Sequence, residues 1–217
     1  MTERPLQPAI LDYGAGNLTS VANACAYLGH PARITRDPAA IAAAPRVIFP
    51  GQGAAGPAMA HLRAAGLDTA LRAALAAGRP VLGICIAHQL IFEHSAENGG
   101  TTCLGLLPGT VARFDFPRAP AAGAARLKVP HMGWNAVHPT RAHPLFAGLR
   151  AGREAYFVHS YYPEPADEAV VLARSEYGGH EFVSAVARDN LVAVQFHPEK
   201  SGQAGLVMLS NFLTWEP

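Results

Sequence analysis

"RPVLGICIAHQLIFE", Arg79 to Glu93, is the stretch on which the reading of the fold turns. Its first part, "PVLGI", is an apolar run that reads as a buried strand; the residues after Cys85 take on helical character at once. A cysteine within a strand is a packing residue, but one placed where a strand becomes a helix lies at a rim. Such a turn needs small neighbours, because its strained backbone leaves no room for side chains, and Gly83 and Ala87 flank Cys85 at two residues on either side. The amides opening the helix would also favour the thiolate, the reactive form of the sulfur.

Working outward, the same order of strand, loop and helix recurs upstream. "PAIL" runs into the Gly-rich turn "DYGAGN", after which Val21, Ala24, Cys25 and Leu28 keep helical spacing until Gly29. "RVIFP" leads through "GQGAAG" to a helix opening at Pro57 and to a second helical run, "LDTALRAALAAG". Strands alternating with helices predict an α/β three-layer sandwich around a mostly parallel central sheet. From about Thr101 the texture changes to short strand-like pieces, "GTVARF", "RLKVPHMGWNAVHP", "EAYFVHSYY", "AVVLARSEYG", "FVSAVARDN" and "LVAVQF", which predict hairpins. The tract "FPRAPAAGAAR", 116–126, has no periodicity and reads as an exposed loop. A last helix over "SGQAGLVMLSNFLTW" would bury Leu206, Leu209, Phe212 and Leu213.

The chain has 217 residues, half of them apolar, which fits one domain over 1–217 with a sizeable core. Seventeen Lys and Arg against sixteen Asp and Glu leave a formal charge of +1, with no basic stripe for nucleic acid or membrane. Small molecules or another protein are the expected partners. The polar opening "MTERPLQPAILDYG" lacks a secretory core, no long uninterrupted apolar run occurs, and Cys25, Cys85 and Cys103 are odd in number and widely spaced. Those features place the protein in a reducing cytoplasm.

A thiolate catalyst needs a proton carrier, and "LVAVQFHPEKS" offers one. His197 ends an apolar run, and Glu199, two residues on, shares its side in extended geometry. Pro198 between them favours an extended His197 and ends the ladder. A carboxylate against an imidazole fixes its tautomer and stabilises its charged form. Cys85 and His197 both fall at carboxyl ends of expected parallel strands, where open sheets place their sites. Two other patterns compete with this one. "GQGAAG", with Gly51, Gly53 and Gly56, matches a dinucleotide loop, but no acid ends a following strand at the needed distance. Cys85, His88, His94 and Cys103 lack the paired spacing of a zinc site. Neither metal nor cofactor is expected. What the glycine loop can supply is a backbone N–H which, with that of Ile86, would make an oxyanion hole.

Together "PGQG", "GICIAHQ" and "QFHPE" resemble the signature of the class I, triad-type glutamine amidotransferases, flavodoxin-like enzymes that release ammonia from glutamine through a cysteinyl thioester. Within that family "DYGAGN", "KVPHMGWN", "YFVHSYY" and "QFHPEKS" resemble the glutaminase subunits of the imidazole glycerol phosphate synthases of histidine biosynthesis. The resemblance runs from Ile10 to Phe212. It implies Cys85 as nucleophile, His197 as acid and base, and Glu199 as its orienting partner. It also implies that Gln89 and the backbone of His159, Ser160 and Tyr161 hold glutamine, and that Gly51, Gln52, Gly53 and Ile86 line the oxyanion site. The ammonia would pass to a separate cyclase subunit, a β/α barrel, in a heterodimer. A glutaminase serving an anthranilate or purine synthase, or a silent subunit that only binds its partner, are the alternatives. The chain departs from the family at Ala87, where glycine is usual, at Gln52, which is bulkier than usual, and at His88, in a position commonly apolar.

Overall fold

The computed structural model describes residues 7–14, 16, 18–116, 127–150 and 152–217. Of the expected loop over 116–126, residues 117–126 therefore lie outside the described part, as do Ala15 and Asn17 of the first glycine turn.

The strands are β1 (Ala9–Leu11), β2 (Arg33–Thr35), β3 (Val47–Phe49), β4 (Val81–Ile84), β5 (His94–Ser95), β6 (Thr101–Thr102), β7 (Gly109–Arg113), β8 (His131–Pro139), β9 (Arg153–His159), β10 (Tyr161–Pro165), β11 (Val171–Tyr177), β12 (His180–Arg188) and β13 (Leu191–Val194). The helices are α1 (Leu18–Tyr27), α2 (Pro38–Ala43), α3 (Ala55–Ala64), α4 (Leu67–Ala76), α5 (Ile86–Leu90) and α6 (Gly202–Thr214). Among the described residues they build a nine-stranded sheet, ordered β2-β1-β3-β4-β13-β12-β11-β8-β9, and a four-stranded sheet, β10-β7-β5-β6.

The large sheet is mixed. From β2 to β13 every pairing is parallel; from β13 to β9 every pairing is antiparallel. The βα units upstream of Cys85 make the parallel half, and the hairpins expected after Thr101 make the other. Alternation along the strands sorts the core into two layers. Ile10, Ile48, Leu82 and Ile84 pack with Val21 and Cys25 of α1 and Met208, Leu209 and Phe212 of α6. Leu11, Val47, Phe49 and Val81 face Ile41, Met59, Leu62, Leu67 and Leu71 of α2, α3 and α4. On α6 it is Met208, rather than Leu206, that is fully buried beside Leu209, Phe212 and Leu213.

Local chemistry sets the element ends. Asp37 accepts from Ala39 N at 3.0 Å and Pro38 opens α2, a side-chain cap with proline at the first turn. α3 starts at Ala55, two residues before the proline expected to open it, because Glu97 Oε2 accepts from Ala55 N at 2.6 Å. Gly205 lets α6 lie against the 198–200 turn, since a Cβ there would come within 1.9 Å of the Pro198 carbonyl oxygen.

Candidate active site

β4 ends in a turn too tight for ordinary backbone. Cys85 has φ 58 and ψ −106, a region that a residue with a Cβ occupies only under strain, on the order of 1–3 kcal/mol. Surrounding bonds hold it there: Cys85 N donates to Val194 O of β13 at 2.8 Å, and α5 begins at the next residue. A Cβ on Gly83 would approach Ala193 Cβ to 3.0 Å and Ala87 Cβ to 3.5 Å. The methyl of Ala87 is therefore accommodated because Gly83 lacks one. α5 runs only from Ile86 to Leu90, so the sulfur sits at the head of a single helical turn.

The neighbouring parallel strand delivers the second group. His197 is buried just beyond β13, and its Nδ1 lies 2.8 Å from Oε1 of Glu199, itself buried. The turn carrying them is pinned to β9. His197 N donates to Tyr156 O at 2.9 Å, while the Ser201 hydroxyl accepts from Tyr156 N and donates to His197 O at 2.6 Å. Burial works against an imidazolium here, but the Cys85 sulfur and the Glu199 carboxylate outweigh it and push His197 up to about 10. With Nδ1 committed to Glu199, Nε2 is the nitrogen left to exchange a proton with the sulfur. The Cys85 thiol itself donates to Val158 O at 3.8 Å.

A cavity of about 260 Å³ opens at the sulfur, lined by Gln52, Gly53, Cys85, Ile86, Gln89, Glu97, Pro130, Val158, His159, Ser160 and Tyr161. Gly51 and Gln52 line an adjoining small cavity with His197 and Glu199. Every residue singled out in the sequence for chemistry or substrate thus borders one of these two spaces. Gly51 cannot be larger, because a Cβ there would lie 1.7 Å from the Tyr13 hydroxyl, and Gly53 takes φ +102. Residues 159–161 are where the chain leaves the large sheet for the small one. Gln89 Nε2 donates to Tyr161 O at 3.0 Å, and His159 Nδ1 donates to the same oxygen at 2.8 Å. Burial drives His159 down to about 3, so its ring is neutral.

Sequence reasoning misses three residues lining the larger cavity. Glu97 sits in an irregular stretch with no periodicity to flag it, although it follows Gln89 by eight residues. Pro130 and Val158 lie in segments whose aromatic neighbours carry the stronger signal.

The family description "Glutamine amidotransferase class-I" matches residues 9–215. The chain is 54% identical over 211 residues to imidazole glycerol phosphate synthase subunit HisH of Aromatoleum aromaticum, covering 96% of this chain and 98% of that one. It is 52% identical over 212 residues to the protein of that name from Methylococcus capsulatus, covering 96% of each. Among solved structures, a glutamine amidotransferase superposes with a TM-score of 0.70 at 20% identity, over 95% of this chain and 99% of the other. A putative GMP synthase subunit from Thermoplasma acidophilum gives 0.66 at 18% identity, over 97% and 94%. These two likenesses speak for the fold. The strained cysteine at the strand-to-helix turn, the buried His–Glu pair beside it and a family match over nearly the whole length lead to one conclusion: this chain belongs to the class I glutamine amidotransferases.

Proposed function

We propose that the chain, acting as a single glutaminase domain over 1–217, hydrolyses L-glutamine to L-glutamate and ammonia as the glutaminase subunit of an imidazole glycerol phosphate synthase. The observation that carries this reading is the 2.8 Å His197–Glu199 pair at the end of the strand adjoining Cys85. The half-identical relatives named as subunits of that synthase support the pathway.

In this reading Cys85 Sγ attacks the carboxamide carbon of glutamine, and the carbonyl π electrons move onto oxygen. The resulting oxyanion is met by the N–H of Ile86 and one from the Gly51–Gly53 loop. Collapse of the intermediate breaks the C–N bond, and His197 Nε2 gives its proton to the departing ammonia. Water then attacks the thioester, passing a proton to His197, and the second collapse frees glutamate and restores Cys85. Glu199 keeps the proton-carrying tautomer in place throughout. Both amide hydrogens of Gln89 are directed at protein acceptors, so its Oε1 is the atom that can take the substrate ammonium, with the Glu97 carboxylate in the same cavity. Ser160 and Tyr161 also line this cavity with their backbone.

The ammonia acceptor would be a cyclase subunit docked as a heterodimer over this rim. Met132 and Trp134, 62% and 54% exposed on β8, support such a surface, and Trp134 packs edge-on to Tyr156 next to the His197 turn. Among the described residues no helix is long and apolar enough to cross a membrane, and we take the cytoplasm as the site of action. The test is glutamate release measured with and without the cyclase partner and its ligand. Low release alone and strong stimulation in the complex are expected; a fully active isolated chain, or one inert in the complex, would refute the assignment.

A further inference from the structure

Behind the nucleophile lies a buried polar cluster that the mechanism above does not use. Gln195 and His88 are both fully buried. Burying an amide there is costly unless its hydrogen bonds are made, so the direction of each bond has consequences.

One fixed point sets all the directions. Tyr161 O is a backbone carbonyl and can only accept, so the atom of Gln89 lying 3.0 Å from it is the amide nitrogen. The same nitrogen lies 3.1 Å from the Gln195 side chain, which must therefore present its oxygen. His88 Nδ1, 3.4 Å from that oxygen, must be the protonated nitrogen of a neutral ring, and burial drives His88 down to about 3. Its Nε2 is then a bare lone pair, and among the described residues that atom has no hydrogen-bond partner. With Oε1 of Gln195 held by two donors, its Nε2 has one orientation left, toward Cys85 Sγ at 3.9 Å. Reversing the amide would set nitrogen against nitrogen at Gln89 and oxygen against the sulfur.

We propose that Gln195 is a positioning residue for the reaction, donating an N–H to the Cys85 sulfur, with its amide locked in that sense by Gln89 on one side and His88 on the other. The proposal rests on Cys85 being the nucleophile. A donor aimed at sulfur favours the thiolate over the thiol, whose own proton points to Val158 O. The backbone makes the placement reproducible: Gln195 N is bonded to Ser184 O of β12 at 2.9 Å, and the preceding carbonyl, Val194 O, holds Cys85 N. Gln195 and His197 follow β13 in extended chain, one facing the sulfur and one carrying the proton, and the 3-10 turn Pro198–Lys200 folds Glu199 back to orient the carrier. Gln195 also joins the nucleophile to Gln89 in the substrate cavity, so one side chain keeps two parts of the site in register.

The test is the rate of iodoacetamide alkylation of Cys85 in the full chain, followed by mass spectrometry at pH 7 and pH 10, for the parent, Gln195→Met and His88→Leu. Removing a hydrogen bond to a charged sulfur should slow alkylation at pH 7 by about tenfold in Gln195→Met, and by about threefold in His88→Leu, where the amide keeps one of its two anchors. At pH 10, above the ordinary range of a cysteine thiol, the variants should approach the parent. A loss of equal size at both pH values would mean that Gln195 only shapes access, and would overturn the proposal, as would a parent-like rate at pH 7. Cys25 and Cys103, whose thiols burial raises to about 11, report the fold: they stay unlabelled in an intact protein. Should Gln195→Met label them, His88→Leu decides, a parent-like rate at pH 7 overturning the proposal. Glutamate release by Cys85→Ala separates the two readings. Persistence of activity there would remove the nucleophile itself, whereas an inactive Cys85→Ala with parent-like alkylation in the other variants would remove only the role of Gln195.

Discussion

The two halves of the large sheet are built to different rules. In the parallel half β1, β3, β4 and β13 are three or four residues long and buried throughout. In the antiparallel half β8, β9, β11 and β12 run seven to nine residues, and β8 turns much of itself to solvent. The short buried strands fix backbone ends closely enough to hold Cys85 in a strained conformation and to set His197 beside it. The longer strands supply a wall of the cavity at Val158 and His159 and an exposed face at Met132 and Trp134. Chemistry is thus proposed for the parallel half, and substrate retention and docking for the other.

Substitutions should respect that division. The largest effect belongs to the parallel half: Cys85→Ala should abolish glutamate release while leaving the circular dichroism spectrum and partner binding intact, and externally supplied ammonia should still support the coupled synthesis. Retained glutaminase activity would remove the basis of the comparison. Next, His197→Ala should cost on the order of 10²-fold or more in kcat, whereas Glu199→Gln, which keeps shape and loses charge, should cost less. Steady-state kinetics on the complex would show the ranking, and a parent-like His197→Ala would break it.

The glycine loop at the edge of the parallel half offers a finer probe. A Cβ at Gly53 meets nothing within 4 Å, but the φ of +102 strains any L-residue. Gly53→Ala should therefore bias the peptide that supplies an oxyanion donor, and losing one such donor typically costs about 10²–10³ in rate. The ratio of stimulated to basal glutamate release should change more than KM for glutamine; an unchanged ratio would locate control elsewhere. On the antiparallel side Trp134→Ala should weaken cyclase binding, measured by titration calorimetry, without altering the rate of Cys85 alkylation.

The smallest effects are on stability, and His197 should act on the opposite limb of its pH profile from the buried neutral histidines, His88 included. His131 and His159, on β8 and β9, are held down to about 4 and about 3 by burial, as is His143 to about 4, so the folded rings stay neutral. Below their ordinary value near 6.5 the unfolded chain takes up protons that the folded one refuses, so stability should fall as the pH drops from about 6.5 toward 4. His197 has the opposite sign. Raised to about 10, it stabilises the fold below 6.5 and loses that contribution as the pH climbs through 10. Thermal midpoints across pH 4 to 10 should peak near neutrality, with His131→Phe flattening the acid limb and His197→Gln the alkaline one; a variant acting on the other limb would contradict these assignments.

The strands and turns around Cys85 are also the more legible in sequence. An apolar run meeting Cys85 between small residues predicts a strained turn, and an extended reading of the chain predicts His197 beside Glu199; the pair forms, but a 3-10 turn over Pro198–Lys200 rather than a strand brings it together. Gln195 stands two residues before His197, yet nothing in a linear sequence says that His88 and Gln89 will face it. β2 escapes such a reading because "RIT" is three residues long with two of them exposed, and α2 because six residues headed by a proline hold no repeating pattern. The small sheet is built partly from two-residue strands, β5 and β6, too short to show a period, and Glu97 lies between them. The histidines of the antiparallel half read as strand aromatics, and only the folded cluster shows His131 Nδ1 lying 3.1 Å from His159 Nε2.

The most direct measurement is to treat the complex of this chain and its cyclase partner with an electrophilic glutamine analogue and locate the adduct by mass spectrometry. The account predicts one adduct, on Cys85, suppressed by excess glutamine and absent from Cys25 and Cys103. An adduct on either of those cysteines, or one on Cys85 that glutamine does not suppress, would contradict it.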